Sequence, residues 1–454
     1  MSKKMSVWLM TTIVCFLTAA TLSAQGWVLQ TNPLEFDTLS ILGKVQFVSS
    51  TEGWISEGHG RLLHTTNAGA NWSVVTPFPN DTVASMSDPS FTMSWADQNH
   101  GWKMNWLGTD FSDAHGAVIH KTSDGGDSWE KVILSNEAGA MGLQVQFVDT
   151  SNGWATVYYS SGDSGRTMRS TDGGNNWSPI ETGGIFCFAD ANNGWAFGTQ
   201  GIYHLILNTT NGGTGWSLQY SDSTPGAFSA IQFTDLNNGW VVGDSGKIIK
   251  TTDGGTNWTP VANTGIHPAS KSKCLFFLNA NTGWIGTNDG IQNENPDRII
   301  LHTVDGGANW TKQYLPIAGA VFSIHFWDAS NGWYAGEYGD SLSYTGIIGH
   351  TTTGGTGVAG QPDSDMLKVE SLKLKVTGNT IKYQVPTAGR VSLKVYNLLG
   401  QEVRSLAGEV KNAGSYEINW NGNDAENRRV SSGIYVVQLL AGSQTASVKI
   451  VVVR

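Results

Sequence analysis

Several residue types in this chain could do chemistry at the spacing they show. The stretch "KTTDGGTNW" (Lys250–Trp258) places one carboxylate, Asp253, beside two glycines and a tryptophan, as a catalytic or metal-binding loop would. Near-copies put Asp124, Asp172 and Asp305 in the same slot; Asn67 and Asn211 fill it in two further copies and Thr353 in the last, "TTTGGTGV". Equivalent positions repeated around a structure cannot form one acid–base pair. An Asx side chain bonds the backbone two residues on, and the glycine after it supplies a positive φ. The four aspartates are therefore expected to be turn formers, and no catalytic or metal-binding residue is assigned. His64, His302 and His350 look like a metal set, yet they fill the slot that holds Lys121, Arg169, Asn208 and Lys250 elsewhere. The 19 tryptophans suggest sugar binding, but 14 of them fall in two repeat slots.

Chemistry specific to this chain is expected where the sequence breaks the repeat. Insertions include "VVTPFPNDTVASMSDPSF", "NWLGTDFSDAHG", "YYSSGDSG", "TNDGIQNENPD" and "GEYGDSLSYTG". They carry the aromatics Trp106, Phe111, Tyr158, Tyr159 and Tyr338, with Asp110, Asp113, Asp163, Asp297, Glu337 and Asp340. Aromatic faces next to acids suit a glycan, a peptide or a weak Ca²⁺ site, and these five aromatics are the candidate ligand-binding residues. No cofactor beyond weak Ca²⁺ is expected. No Ser-His-Asp set, zinc motif, phosphate loop or nucleotide fingerprint is present.

The elements that must position these loops follow from the repeat. A Gly-Trp dipeptide recurs at Trp54, Trp102, Trp154, Trp195, Trp240, Trp284 and Trp333, spaced by 48, 52, 41, 45, 44 and 49 residues. Such a period with strand-like content predicts propeller blades. An apolar strand precedes each dipeptide and carries an aromatic: Phe47, Trp95, Phe147, Phe188, Phe233, Phe277 and Phe326. A turn residue, usually Asp, follows two positions later. The last copy lacks its tryptophan and outer strand, while "GWVLQ" at Gly26–Gln30 matches "GWSLQ" at Gly215–Gln219. The N-terminal strand is therefore predicted to complete the seventh blade and close the ring, removing an exposed edge. Cys187 and Cys274 lie in non-neighbouring repeats and read as free thiols.

The motif S/T-x-D-x-G-x-x-W resembles the Asp-box, or BNR, repeat. Its pairing with Gly-Trp resembles the photosystem II assembly factor (Ycf48-like) family over about residues 26–356. Asp-boxes also occur in sialidases, two-propeller xyloglucan hydrolases and sortilin-type receptors, where the resemblance implies a structural box away from the active site. A sialidase needs three arginines and a Phe-Arg-Ile-Pro motif. Only Arg61, Arg166, Arg169 and Arg298 occur in the predicted propeller, and the motif does not.

The ends of the chain point outward. Lys3 and Lys4, the apolar run Val7–Leu17 and the small residues up to Ala24 read as a signal peptide over residues 1–24. The propeller is expected over 25–356 and a polar linker over 357–366. A small immunoglobulin-like β-sandwich follows over 367–454, from its period-2 strands and regular turns. Val395-Tyr396-Asn397, Gly400, Val403, Trp420-Asn421-Gly422 and Ser432-Gly433-Ile434-Tyr435 resemble the C-terminal sorting domain of the type IX secretion system. That resemblance implies export through that machinery and removal of the tail; a sandwich of the flagellar hook-cap type fits the same strands. Net charge is −10 with no basic run, which excludes nucleic acid as an electrostatic partner. No stretch after the signal reaches the ~18 apolar residues of a membrane span. The expectation is an all-β, secreted or outer-surface protein that passes through the periplasm and binds a glycan or protein ligand without catalysis. The alternatives are a glycoside hydrolase or sialidase-like enzyme using loop carboxylates, and a passive surface component.

Overall fold

The computed structural model describes residues 26–34, 40–77, 92–108, 113–160, 165–180, 184–261, 271–288, 299–316, 319–340, 343–356, 373–377, 379–385, 389–397, 400–412, 414–441 and 444–452. Among them there is no helix, and so none long and apolar enough to cross a membrane. The strands form nine antiparallel sheets, seven of them four-stranded blades. Blades 1 to 6 occupy residues 42–75, 93–135, 140–180, 185–222, 228–260 and 271–314 in simple up-and-down order. Blade 7 takes three strands from residues 320–351, and Val28–Gln30 is its outer strand, with Val28 opposite His350 and Gln30 opposite Ile348. The ring is closed as the repeated "GW-x-LQ" predicts.

The blade junctions explain the repeat. In blade 5 the Gly239 backbone lies beneath the Phe233 ring of the first strand. Trp195 of blade 4 stacks on the same ring at 3.4 Å between centroids, and Trp258 meets it edge-on at 5.9 Å. Trp195 also donates its Nε1 proton to Gly254 O in the box of blade 5. The stacked pair recurs at every junction: Trp54–Trp95, Trp102–Phe147, Trp154–Phe188, Trp240–Phe277, Trp284–Phe326 and Trp333–Phe47. At the last blade Trp27 takes the edge-on position, 5.7 Å from Phe326, and donates to Gln313 Oε1 at 3.0 Å. The core is thus a ring of aromatic contacts between blades, each burying side chains of 150–250 Å².

Beyond the blades, two sheets pack as an immunoglobulin-like sandwich. One runs Glu402–Lys411, Gly389–Asn397, Gly433–Ala441, Gln444–Val452; the other Lys373–Thr377, Thr380–Val385, Gly414–Asn419. Alternate residues Val391, Leu393 and Val395 face Ile381, Tyr383, Val385, Trp420 and Tyr435 in one core. The motif residues Trp420 and Tyr435 are buried there, and Gly400 and Gly422 adopt φ of 76° and 73° at turns.

Candidate functional site

The box carboxylates are engaged in their own turns. Asp253 Oδ1 accepts from Thr251 Oγ1 and from Asn257 N at 2.8 Å, and its Oδ2 accepts from Asn257 Nδ2 at 2.7 Å. Asp124, Asp172 and Asp305 repeat the pattern with Ser128, Asn176 and Asn309. The bond reaches the backbone four residues on, not two as the sequence suggested. Paired positive-φ glycines, 71° and 89° at Gly254 and Gly255, curl the chain so that this N–H points back. Hydrogen bonds from the residue four on hold the carboxyls of Asp124, Asp172 and Asp305 down to about 2. The turn aspartates after each inner strand are used in the same way; Asp235 Oδ1 accepts from Asn237 N and Asn238 N. These groups hold hairpins, each carboxylate being committed through both oxygens to its own turn.

The histidines have a packing role. Each third-strand slot faces the Gly-Trp tryptophan of its own blade: Trp54 opposite His64, Trp284 opposite His302 and Trp333 opposite His350. The rings stack at 3.8, 4.8 and 4.7 Å, and burial lowers the pKa of His302 and His350. Arg169 fills the slot over Trp154 at 5.7 Å. Among the described residues no cluster of three or more metal-ligating side chains exists.

The five candidate aromatics are not gathered by the described residues. Trp106 was expected on an insertion loop, but it continues the strand Gly101–Leu107, opposite Ala117, and is 2% exposed against Ala114 and Met141. Tyr159 is also buried. Its hydroxyl donates to Ser135 Oγ at 3.4 Å and the Arg166 guanidinium lies 4.8 Å over its ring. Tyr158, its neighbour on the opposite strand face, is 42% exposed. Arg166, opposite Val157 and so on the Tyr159 face, pairs with Glu137 at 3.1 Å. Tyr338 pairs with Thr345 in the long hairpin of blade 7. Phe111 lies outside the described residues, as do Asp110, Asp163 and Asp297; Asp113 is exposed and Glu337 half-buried.

Two polar features were missed from sequence. The residue before the inner-strand aromatic stitches neighbouring blades: Gln46 to Trp95, Gln146 to Phe188 and Gln232 to Phe277, each through two bonds, and Ser94 to Phe147. A glutamine recurring at one offset was the available signal. Second, Glu57 is fully buried. Burial opposes its ionisation, but bonds from His59 and Arg61 overcome this and hold its pKa to about 2.

Comparisons with known proteins agree with this geometry. The family model described as "Photosynthesis system II assembly factor YCF48" matches residues 185–262 and 223–317, and the FlgD Ig-like domain matches 373–445. A curated relative, the photosystem II assembly lipoprotein Ycf48 of Synechococcus sp. (strain CC9902), is 28% identical over 155 residues, 34% of this chain. The match spans 42% of that relative's length. A solved YCF48 bound to D1 peptide superposes with TM-score 0.54 at 18% identity, covering 74% of this chain and all of the other. YCF48 from Cyanidioschyzon merolae gives 0.51 at 17%, covering 72% and 98%. A GH74 xyloglucanase from Xanthomonas campestris gives 0.51 at 12%, covering 91% and 65%. The propeller is Ycf48-like in fold, and the sandwich is FlgD-like.

Proposed function

We propose that this chain is a secreted, surface-displayed, non-enzymatic propeller that binds a glycan or protein ligand on the face formed by the second-to-third-strand hairpins and blade-joining loops. One observation carries the reading. The carboxylates of the repeat turns are used in holding those turns, whereas Tyr158 is an exposed aromatic on a hairpin that breaks the symmetry, with the charged pair Arg166–Glu137 on the opposite face of the same strands. An exposed planar aromatic recognises a sugar face or a peptide with little loss of side-chain entropy. The D1 peptide on a solved YCF48 makes a peptide the first ligand class to try.

The GH74 likeness keeps a glycan in view and supports the second reading, a glycoside hydrolase acting through loop carboxylates. In the first reading, the tail acts as the type IX sorting domain that brings the propeller to the surface. The deciding experiment is a glycan-array and protein pull-down screen with the chain from residue 25, with a parallel assay for released sugar. Saturable binding without product, weakened by Tyr158→Ala at unchanged melting temperature, supports the proposal. Released sugar would overturn it in favour of an enzyme. Neither binding nor product would leave a passive surface component.

A further inference from the structure

The innermost strands enclose an axial cavity of about 280 Å³, lined by residues of blades 1, 3, 4, 5, 6 and 7. That is many times the roughly 10–15 Å³ that admits one water. Gln46, Gln144, Gln146 and Gln232 reach its wall, but each amide is already bonded to the backbone of the next blade. Among the described residues lining it, the remaining charged groups are Lys44 and Lys273, and none is a carboxylate.

Both lysines are placed there by the same device. The inner strand of blade 1 shifts register between Leu42 and Val45, and that of blade 6 between Ser272 and Cys274. A β-bulge leaves the extra residue unpaired and re-aims its side chain, and Lys44 and Lys273 sit in these two bulges. Among the described residues neither ammonium has a hydrogen-bond or ion-pair partner. Lys44 is hemmed in by protein yet retains contact with solvent inside the channel. It lines the cavity together with Cys187 of blade 4 and His325 of blade 7, and its charge acts to lower the pKa of both. The other titratable groups lining the cavity are Lys273, Cys187, Cys274 and His325. Burial lowers Lys44 to about 8 and His325 to about 3, so at neutral pH the imidazole is uncharged and the ammonium largely intact. An unpaired cation held out of bulk water is costly unless a counter-charge joins it.

We propose that the axial cavity binds a small oxyanion, a carboxylate or a phosphate, through the ammonium groups of Lys44 and Lys273. This site is separate from the Tyr158 face and stands whether or not that face binds a ligand. An anion there offsets the desolvation of Lys44 and raises its proton affinity, so binding draws in a proton where the free amine is partly neutral.

The test is calorimetric titration of the chain from residue 25 with sodium phosphate and, separately, sodium acetate, in a low-salt zwitterionic buffer. Saturable binding of either is expected, and which one binds identifies the anion class. Lys44→Met should weaken it about tenfold or more, while Lys44→Arg stays within a few fold. Lys273→Met, which leaves Lys44 in place, should also weaken it. At about pH 8.5, buffers of different ionisation heat should reveal proton uptake by the wild type and none by Lys44→Met. No saturable binding by the wild type, or wild-type affinity in both folded Met variants, would overturn the proposal.

Discussion

A Cβ placed on Gly239 would lie 2.5 Å from Cζ of Phe233. All seven Gly-Trp glycines stand in this relation to the aromatic of their own first strand. The ring is held against one blade's backbone while the tryptophan of the preceding blade covers its other side. The dipeptide is therefore a single device. Glycine lets the ring sit down on the sheet, and tryptophan reaches back to the blade before.

Gly239→Ala should accordingly destabilise the propeller by about 1–3 kcal/mol, the usual range for overpacking a filled core. Gly198, on the equivalent strand of blade 4, has no atom within 4 Å of the added methyl, and Gly198→Ala should leave the unfolding midpoint nearly unchanged. Urea melts of both variants provide the comparison; equal midpoints would show that the ring moves aside without cost.

Closure by the N-terminal strand predicts a large effect from a terminal residue. Trp27 is 3% exposed, edge-on to Phe326 and Tyr334, and bonded to Gln313. Trp27→Ala should cost about 3–5 kcal/mol, as for other buried tryptophans. Removing residues 26–32 should cost more, because it also strips blade 7 of its outer strand. A truncated chain with the melting temperature of the intact one would disprove this role.

The box aspartates give a pH dependence of known sign. Their carboxyls are held below the ordinary value of 3.8, to about 2 at Asp124, Asp172 and Asp305. A depressed folded-state pKa contributes stability that is present above the unfolded value and lost as pH falls through the folded one. The propeller's melting temperature should therefore drop as pH is lowered from about 4 to about 2. Asp253→Ala should lower the melting temperature at neutral pH, narrow the acid-induced drop and leave ligand binding intact. Lost binding at unchanged stability would return Asp253 to the list of functional residues.

Most of the fold was legible because the contacts that build it recur at fixed offsets. Phe233, Gly239, Trp240 and Trp258 are each visible as a repeat slot, and the missing tryptophan of the last box pointed to Trp27. The site was less legible because hairpin length is settled by pairing. Trp106 reads as the start of an insertion, yet all seven residues of Gly116–Thr122 pair with its strand and carry it into the core. The axial lysines were hidden for a related reason. A bulge at Lys44 or Lys273 is a shift between two strands, and neither strand's sequence records it alone.

The last prediction concerns the tail. The turn glycines Gly400 and Gly422 and the core residues Trp420 and Tyr435 that carry the resemblance to a sorting domain are structural parts of the sandwich, so their presence follows from the fold whatever its use. Sorting must therefore be tested by transport. The propeller completes its last blade with Val28–Gln30 and, among the described residues, takes no strand from the tail. A chain ending near Gly360 should keep the propeller's melting transition. In a host with type IX secretion it should remain in the periplasm, whereas the full chain should reach the surface or medium and lose roughly the mass of residues 367–454. Surface display of the shortened chain, or a mature surface form that still carries Tyr435, would show that the sandwich is a permanent domain and not a removable address.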